Sequence, residues 1–269
     1  MAQYIHLLSN SNVGLPTDLW VPATDKVPFQ RSRQVALGLA KTLPKPGLEV
    51  SLEGYYKWMD DIIDYKEGAD FLLGDTDWQQ NVEIGKGWSY GAELLIQKKT
   101  GKLTGWVGYT LAWTKRQFDN INEGKPYPYK YDRRHNVVFA GTYKFNEKID
   151  VGAVWVYGSG NAITLPQATY SGSYPSIYPN YYNYYPSVEN YGSKNSFRMQ
   201  AYHRMDISAN FHKQIKWGER TWSISFYNVY SRWNPFFYYI GYKNNSNQRV
   251  VKKLSLFPIV PSFSWHFKF

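Results

Sequence analysis

The chain has 269 residues, with Tyr 25, Phe 14 and Trp 11 bringing aromatics to 19%, and 31 Lys and Arg against 21 Asp and Glu give a net charge of +10. So many aromatic and β-branched residues exclude a disordered chain, and no window nears the roughly 18 uncharged apolar residues that a spanning helix needs. With Cys 0, disulfides, thiolate metal sites and cysteine nucleophiles are excluded together.

Residues 1–20 show no basic start followed by an apolar core, so no signal peptide is expected. Tyr4–Leu8 already reads as a partial strand, so the chain is expected to begin within a larger body. Leu48, Val50, Leu52 and Tyr56 then alternate with Glu49, Ser51, Glu53 and Lys57, with Gly54 interrupting the apolar row. Val137, Phe139 and Tyr143 alternate with Asn136, Thr142 and Lys144, and Ile149, Val151, Ala153 and Trp155 with Lys148 and Asp150. Met205, Ile207, Ala209 and Phe211 alternate with Arg204, Asp206, Ser208, Asn210 and His212. Phe263, Trp265, Phe267 and Phe269 alternate with Ser262, Ser264, His266 and Lys268 to the C-terminus. Period two marks strands with one apolar and one polar face. The chain reads as all-β.

The connections alternate too. Short turns are expected near Thr42–Gly47, Lys99–Leu103, Phe145–Glu147 and Gln214–Arg220, and long stretches near Ser9–Ser32, Met59–Gln80, Lys115–Arg133, Ser159–Gln200 and Ser231–Val250. In an antiparallel up-and-down meander alternate connections emerge at opposite ends, so all the long loops share one rim. Short turns at one rim and long loops at the other describe a transmembrane β-barrel segment of about ten strands, with short periplasmic turns and long extracellular loops. Tyr56, Trp58, Trp113, Trp155 and Tyr157 fall at the long-loop ends, and Tyr143, Phe145, Phe211, Trp217, Trp222, Phe267 and Phe269 toward the turns, as two interfacial girdles require. A soluble β-sandwich would bury the same apolar residues, but it has no reason to sort loop lengths by end.

Several residue groups invite a functional reading. Between Ser159 and Gln200 lie Tyr174, Tyr178, Tyr181, Tyr182, Tyr184 and Tyr185 among Ser, Asn and Pro. Exposed tyrosine offers a flat face and a hydroxyl suited to recognition, so this loop is a candidate ligand contact, or else its rings pack on one another. Asp60, Asp61, Asp64, Glu67, Asp70, Asp75 and Asp77 crowd one long loop. They lack the spacing of a calcium loop and read as a solvated acidic surface. The short turns carry Lys41, Lys45, Lys98, Lys99, Lys102, Lys144, Lys148, Lys213, Lys216 and Arg220, placed to meet anionic headgroups. Bases scattered over turns form no stripe for nucleic acid. The histidines His6, His135, His203, His212 and His266 lack zinc-type spacing. Asp206, His212 and His266 share a polar face by parity, which a wet lumen needs anyway. Arg133, Arg134 and His135 at the outer rim read as ion-pairing residues of the wall. No catalytic residue, metal or cofactor is expected.

Longer stretches carry a resemblance. Leu52–Gly68, Gly85–Leu94, Tyr131–His135, Trp155–Ala162 and Tyr227–Pro235 resemble, in order, the C-terminal half of TonB-dependent outer-membrane receptors, in particular those of Bacteroidota-type bacteria. The terminal Phe263, Trp265, Phe267 and Phe269 are similar to the signal by which the barrel-assembly machinery recognises its substrates. The resemblance implies that residues 1–269 are the last part of the barrel, with signal peptide, TonB box and plug absent. It implies an outer-membrane location and uptake of a scarce nutrient such as a siderophore, vitamin or glycan. This chain would supply wall, outer loops and assembly signal. The implied partners are outer-membrane lipid and lipopolysaccharide, the assembly machinery, a small ligand, and TonB through the N-terminal part alone. The alternatives are a free-standing small barrel acting as pore, adhesin or protease, and a soluble carbohydrate-binding module.

Overall fold

A computed structural model describes residues 1–10, 18–69, 77–172, 187–244, 246 and 248–269. Nine long strands form one meander: β1 Gln30–Leu43, β2 Leu48–Tyr65, β3 Val82–Lys98, β4 Leu103–Gln117, β5 His135–Asn146, β6 Ile149–Gly158, β7 Tyr202–Ile215, β8 Gly218–Tyr227 and β9 Val260–Lys268. Each pairs antiparallel with the next. The turns at residues 44–47, 99–102, 147–148 and 216–217 are short, and the connections at 66–81, 118–134, 159–201 and 228–259 are long. The expected alternation is therefore the observed one.

Residues directly opposite one another share a face, so the register tests the parity reading. Leu39, Leu52, Leu94, Tyr109, Val137 and Tyr157 form one hydrogen-bonded row across β1 to β6. Gly105, Gly141, Ala153, Ile207, Phe226 and Pro261 form another across β4 to β9. A row of the opposite face, Thr104, Thr142, Gly152, Ser208, Ser225 and Ser262, runs beside the second, one residue nearer the turns. One face is thus predominantly apolar, and the other mixes polar residues with Leu95, Trp106, Ala140 and Val154. A hollow of about 570 Å³ on that side, lined by Thr142, Asp206, Ser208 and Ser225 together with Trp106, Ala140 and Val154, marks it as concave. A concave polar face and an apolar outer one are the two sides of a membrane barrel wall.

The girdles follow. At the long-loop end Tyr56, Tyr90 and Trp113 stack in sequence with centroids 5.6 and 5.3 Å apart. At the turn end Phe211 faces Trp222, which faces Trp265. Gly105 and Gly218 open β4 and β8 after their turns with φ of +150° and +151°, and a Cβ there would meet Ala140 O at 2.2 Å and Lys268 O at 1.9 Å. Only glycine lets the neighbouring backbone come that close.

One expectation is corrected. The partial wall strand at Tyr4–Leu8 is instead Ile5–Ser9, which leaves the wall and forms a hairpin with Asp18–Pro22; only Ala2–Gln3 pairs with β1, opposite Arg31 and Gln30. Among the described residues the wall has nine long strands and the two-residue Ala2–Gln3 at its edge, in keeping with about ten. The long strands run from 9 residues in β9 to 18 in β2. At about 3.3 Å per residue and a tilt of about 45°, β2 rises roughly 40 Å, beyond the ~30 Å of hydrocarbon. The apolar rhythm breaks after Trp58 because of a bulge at Asp61, whose φ is 58°. The extra residue turns Ile62 to the polar side, where Gly87 leaves it room: a Cβ there would lie 2.9 Å from Ile62 Cδ1.

Candidate ligand-binding site at the long-loop rim

Three carboxylates lock the long connections together above the wall. Asp64, its side chain 8% exposed, lies 3.9 Å from Arg116 Nη1 and 3.4 Å from Lys194 Nζ, and it accepts the Tyr127 hydroxyl at 2.7 Å. One carboxylate thus joins β2, β4, the 118–134 connection and the 159–201 connection. Ile62, Phe118, Ile121 and Tyr127 close an apolar core beside it. Burial, together with the Asp64 charge and hydrogen bond, pushes the Tyr127 hydroxyl well above the ordinary tyrosine range, so it remains a donor. Asp132, buried, accepts the Thr114 N–H at 2.5 Å, lies 3.5 Å from Arg134 Nη2 and pairs with Arg198. Asp18 pairs with Lys130 at 3.1 Å and accepts the Tyr131 hydroxyl, which ties the Ile5–Ser9 hairpin to the 118–134 connection. That hairpin also brings Leu8 and Val21 against Ile63, Tyr65 and Val82.

Two further hairpins stand on this base. Pro166–Ser171 pairs with Ser187–Tyr191, and Pro235–Tyr242 with Arg249–Ser255. They lean together through an Arg249–Glu189 ion pair and an Arg249 bond to Thr169 Oγ1 at 3.3 Å, and Phe197, beyond the first hairpin, stands edge-on to Tyr238 of the second at 6.3 Å. The Tyr191 hydroxyl and Arg249 hold the Glu189 carboxyl below its usual range, while burial and Glu189 push Tyr191 up to about 12. Tyr170, Tyr191, Phe236 and Tyr242 remain exposed on the pair. The candidates Tyr174, Tyr178, Tyr181, Tyr182, Tyr184 and Tyr185 lie outside the described residues, in the stretch joining the first hairpin's strands. The described surface offers aromatic faces and hydroxyls around one internally neutralised ion pair, which suits stacking recognition.

Of the described residues of the acidic loop, Glu67 and Asp77 are exposed as a solvated surface requires, and Asp64 departs from it by being buried. Asp60 and Asp61 pair with Arg33 at 3.4 Å and Arg31 at 2.7 Å, Asp64 is buried, Glu67 accepts the Asn122 N–H at 2.7 Å, and Asp77 caps the short turn at Trp78–Asn81. Asp70 and Asp75 lie outside the described residues. The reason is that β2 continues to Tyr65, carrying the first of these acids into a strand flanked by bases. Of the polar-face trio, His212 Nε2 lies 2.5 Å from Asp150 and Nδ1 3.1 Å from Glu219, while Asp206 stands six residues up the same strand and pairs with Arg204 at 2.9 Å. Arg134 lies over the Trp113 ring at 4.5 Å, Arg133 reaches Asn161, and His135 meets the Tyr109 hydroxyl at 2.9 Å. Among the described residues no group of three or more His, Asp and Glu is placed to hold a metal. Phe263 and Trp265 flank Trp222 at 5.1 and 6.1 Å, and Phe267 and Phe269 continue that ring row to the chain end. Sequence reading missed Arg116, Lys194 and Arg198, whose partners lie 52, 130 and 66 residues away and leave no local pattern.

The family model described as TonB dependent receptor-like, beta-barrel matches residues 24–230. The chain belongs to this family. The TonB-dependent receptor barrel is a Gram-negative outer-membrane structure, and the family comprises receptors and transporters rather than enzymes. Among solved structures, the ferripyoverdine receptor of the Pseudomonas aeruginosa outer membrane is similar, with TM-score 0.52 and 13% identity over 89% of this chain and 27% of that one. The FrpB iron transporter of Neisseria meningitidis aligns with TM-score 0.51 and 13% identity over 90% of this chain and 32% of that one. These likenesses are of fold. The chain spans about a third or less of the length of the solved receptors it matches. No curated protein matches it in sequence.

Proposed function

We propose that residues 1–269 form the C-terminal part of the barrel of a nutrient receptor. In this reading they supply wall, outer loops and assembly signal to a larger molecule whose plug and TonB-contacting segment lie elsewhere in the polypeptide. The observation that carries the proposal is the pair of unclosed edges on a lipid-facing sheet. Among the described residues β1 is paired along its outer edge only near Gln30–Ser32, and β9 has no neighbour beyond β8. Hydrocarbon cannot satisfy those open backbone groups, so other strands complete the wall. The outer rim captures a small scarce solute, a siderophore, vitamin or glycan, with Tyr174, Tyr178, Tyr181, Tyr182, Tyr184 and Tyr185 stacking on it. Phe263, Trp265, Phe267 and Phe269 present the assembly signal, and lipopolysaccharide surrounds the rim. Two measurements test this. Removal of residues 174–185 from the intact receptor should abolish binding of the solute whose uptake it supports; unchanged affinity refutes the tyrosine role. A coding sequence lacking any in-frame plug, or a signal peptide leading straight into the first strand, refutes the receptor reading.

A further inference from the structure

At the short-turn rim, acids and bases separate across the wall. Glu49, Asp150 and Glu219 stand on the polar face, Glu49 2.6 Å from Lys99 and the other two flanking His212. On the apolar face at the same height stand Lys41 opposite Val50, Lys98 opposite Leu48, and Lys213 opposite Arg220. No acid shares that face at this rim among the described strand residues. Lys213 and Arg220 are the sharpest case. As direct cross-strand partners their Cβ atoms sit about 4.5–5.5 Å apart, and like charges so placed repel. Arg220 Nε is shielded from solvent and meets no hydrogen-bond partner among the described residues. The apolar neighbours are aromatic: Phe267 opposite Arg220 on β9, and Phe211 opposite Trp222 one apolar-face position further into the membrane.

We propose that Lys213 and Arg220 bind the phosphate of an anionic phospholipid in the inner leaflet. A phosphodiester between the two strands cancels their repulsion and accepts from the forked end of the guanidinium. Its acyl chains then lie along Phe211, Trp222 and the apolar columns above them. A soluble anion gains the charge contacts and none of this apolar surface, so the site selects a lipid.

The test uses the intact protein extracted from outer membrane in mild detergent and stripped of lipid. It is titrated with phosphatidylglycerol, with phosphatidylcholine of the same chains, and with inorganic phosphate, and occupancy is read by native mass spectrometry. Phosphatidylglycerol is expected to bind at least about tenfold more tightly than phosphatidylcholine, and the K213Q/R220Q pair to weaken it about thirtyfold, as two interfacial charges predict. Lys144→Gln, at the same rim on the polar face, should leave it unchanged. Equal affinity for the two lipids overturns the proposal without any variant. So does unchanged affinity in K213Q/R220Q, or displacement of the lipid by inorganic phosphate at matching concentration. Should the double variant fail to fold, Arg220→Lys, which keeps the charge and loses the fork, is expected to show a partial loss; no loss counts against the site.

Discussion

His6 is buried with Nε2 2.9 Å from the Pro28 carbonyl, and its Nδ1 meets no partner among the described residues. Burial lowers its pKa, because a second proton would put an unpaired charge where water cannot reach. Asp18, in the same hairpin, feels burial raising its carboxyl, but the Tyr131 hydroxyl and Lys130 outweigh that and hold it below its ordinary value. Both shifts act in one direction with pH. A histidine lowered on folding costs stability as pH falls below its unfolded value, about 6.5, and a depressed carboxylate loses its contribution as pH falls through its folded value, below about 3.9. The Ile5–Pro22 hairpin should therefore loosen in two steps on acidification. Hydrogen exchange at Leu7 and Val21 reads this directly, and protection independent of pH from 7 to 4 contradicts the histidine step. Asp132 makes a stronger case. Asp132→Ala leaves the Thr114 N–H and the Arg134 guanidinium without this acceptor and takes the carboxylate from Arg198, which keeps only the residue-132 carbonyl, at a cost of about 3–5 kcal/mol. Denaturant titration of the assembled protein should show that loss, and a change under 1 kcal/mol would falsify the locking role. Neither site was legible beforehand. Asp64 and Asp132 look like any surface acids, because nothing local reveals the distant bases that bury them.

At the scale of strands the pattern was readable, and where it failed the cause is physical. Period two located β2, β5, β6, β7 and β9 because each has hydrocarbon on one face and water on the other over its spanning length. Past that length the rule lapses: beyond Trp58, β2 is sheathed by the 118–134 connection and the N-terminal hairpin, so both faces take apolar residues and the acids find partners. The Ile5–Ser9 hairpin was misplaced for the same reason, since an apolar run cannot say which sheet it will join. The two faces make opposite predictions for the same chemistry. Ile207→Arg on the apolar face should destabilise the barrel by roughly 2–4 kcal/mol near the midplane, whereas Ser208→Arg, one residue on and facing the hollow, should cost far less. Folding titrations into phosphatidylcholine vesicles distinguish them, and equal costs would show that the apolar face does not meet lipid. Spin labels at Val137, Ile207 and Trp265 should likewise be accessible to lipid-dissolved oxygen.

Across the whole molecule, the strand count has a consequence. Among the described residues nine long strands alternate in direction, the two-residue Ala2–Gln3 aside, so β1 and β9 both run from the long-loop rim to the turn rim and joining them would make a parallel pair in an otherwise antiparallel wall. An odd number of added strands restores an antiparallel closure. Residues 1–269 alone, refolded into vesicles, should therefore associate through their edges rather than form a monomeric pore, as sedimentation in detergent would reveal; a monodisperse monomer with β1 and β9 amides protected from exchange contradicts this. The sequence by itself determined the class of wall, the sorting of loop lengths between rims, the girdles and the outward face. Those features repeat every two residues or every hairpin, and local chemistry opposite lipid and water enforces them at each repeat. Only the tertiary structure decided which loops interlock, that Asp64 and Asp132 are buried, that the N-terminal hairpin leaves the wall, and that Lys213 and Arg220 face each other. These depend on contacts between residues distant in the chain and on strand register, which no local periodicity encodes.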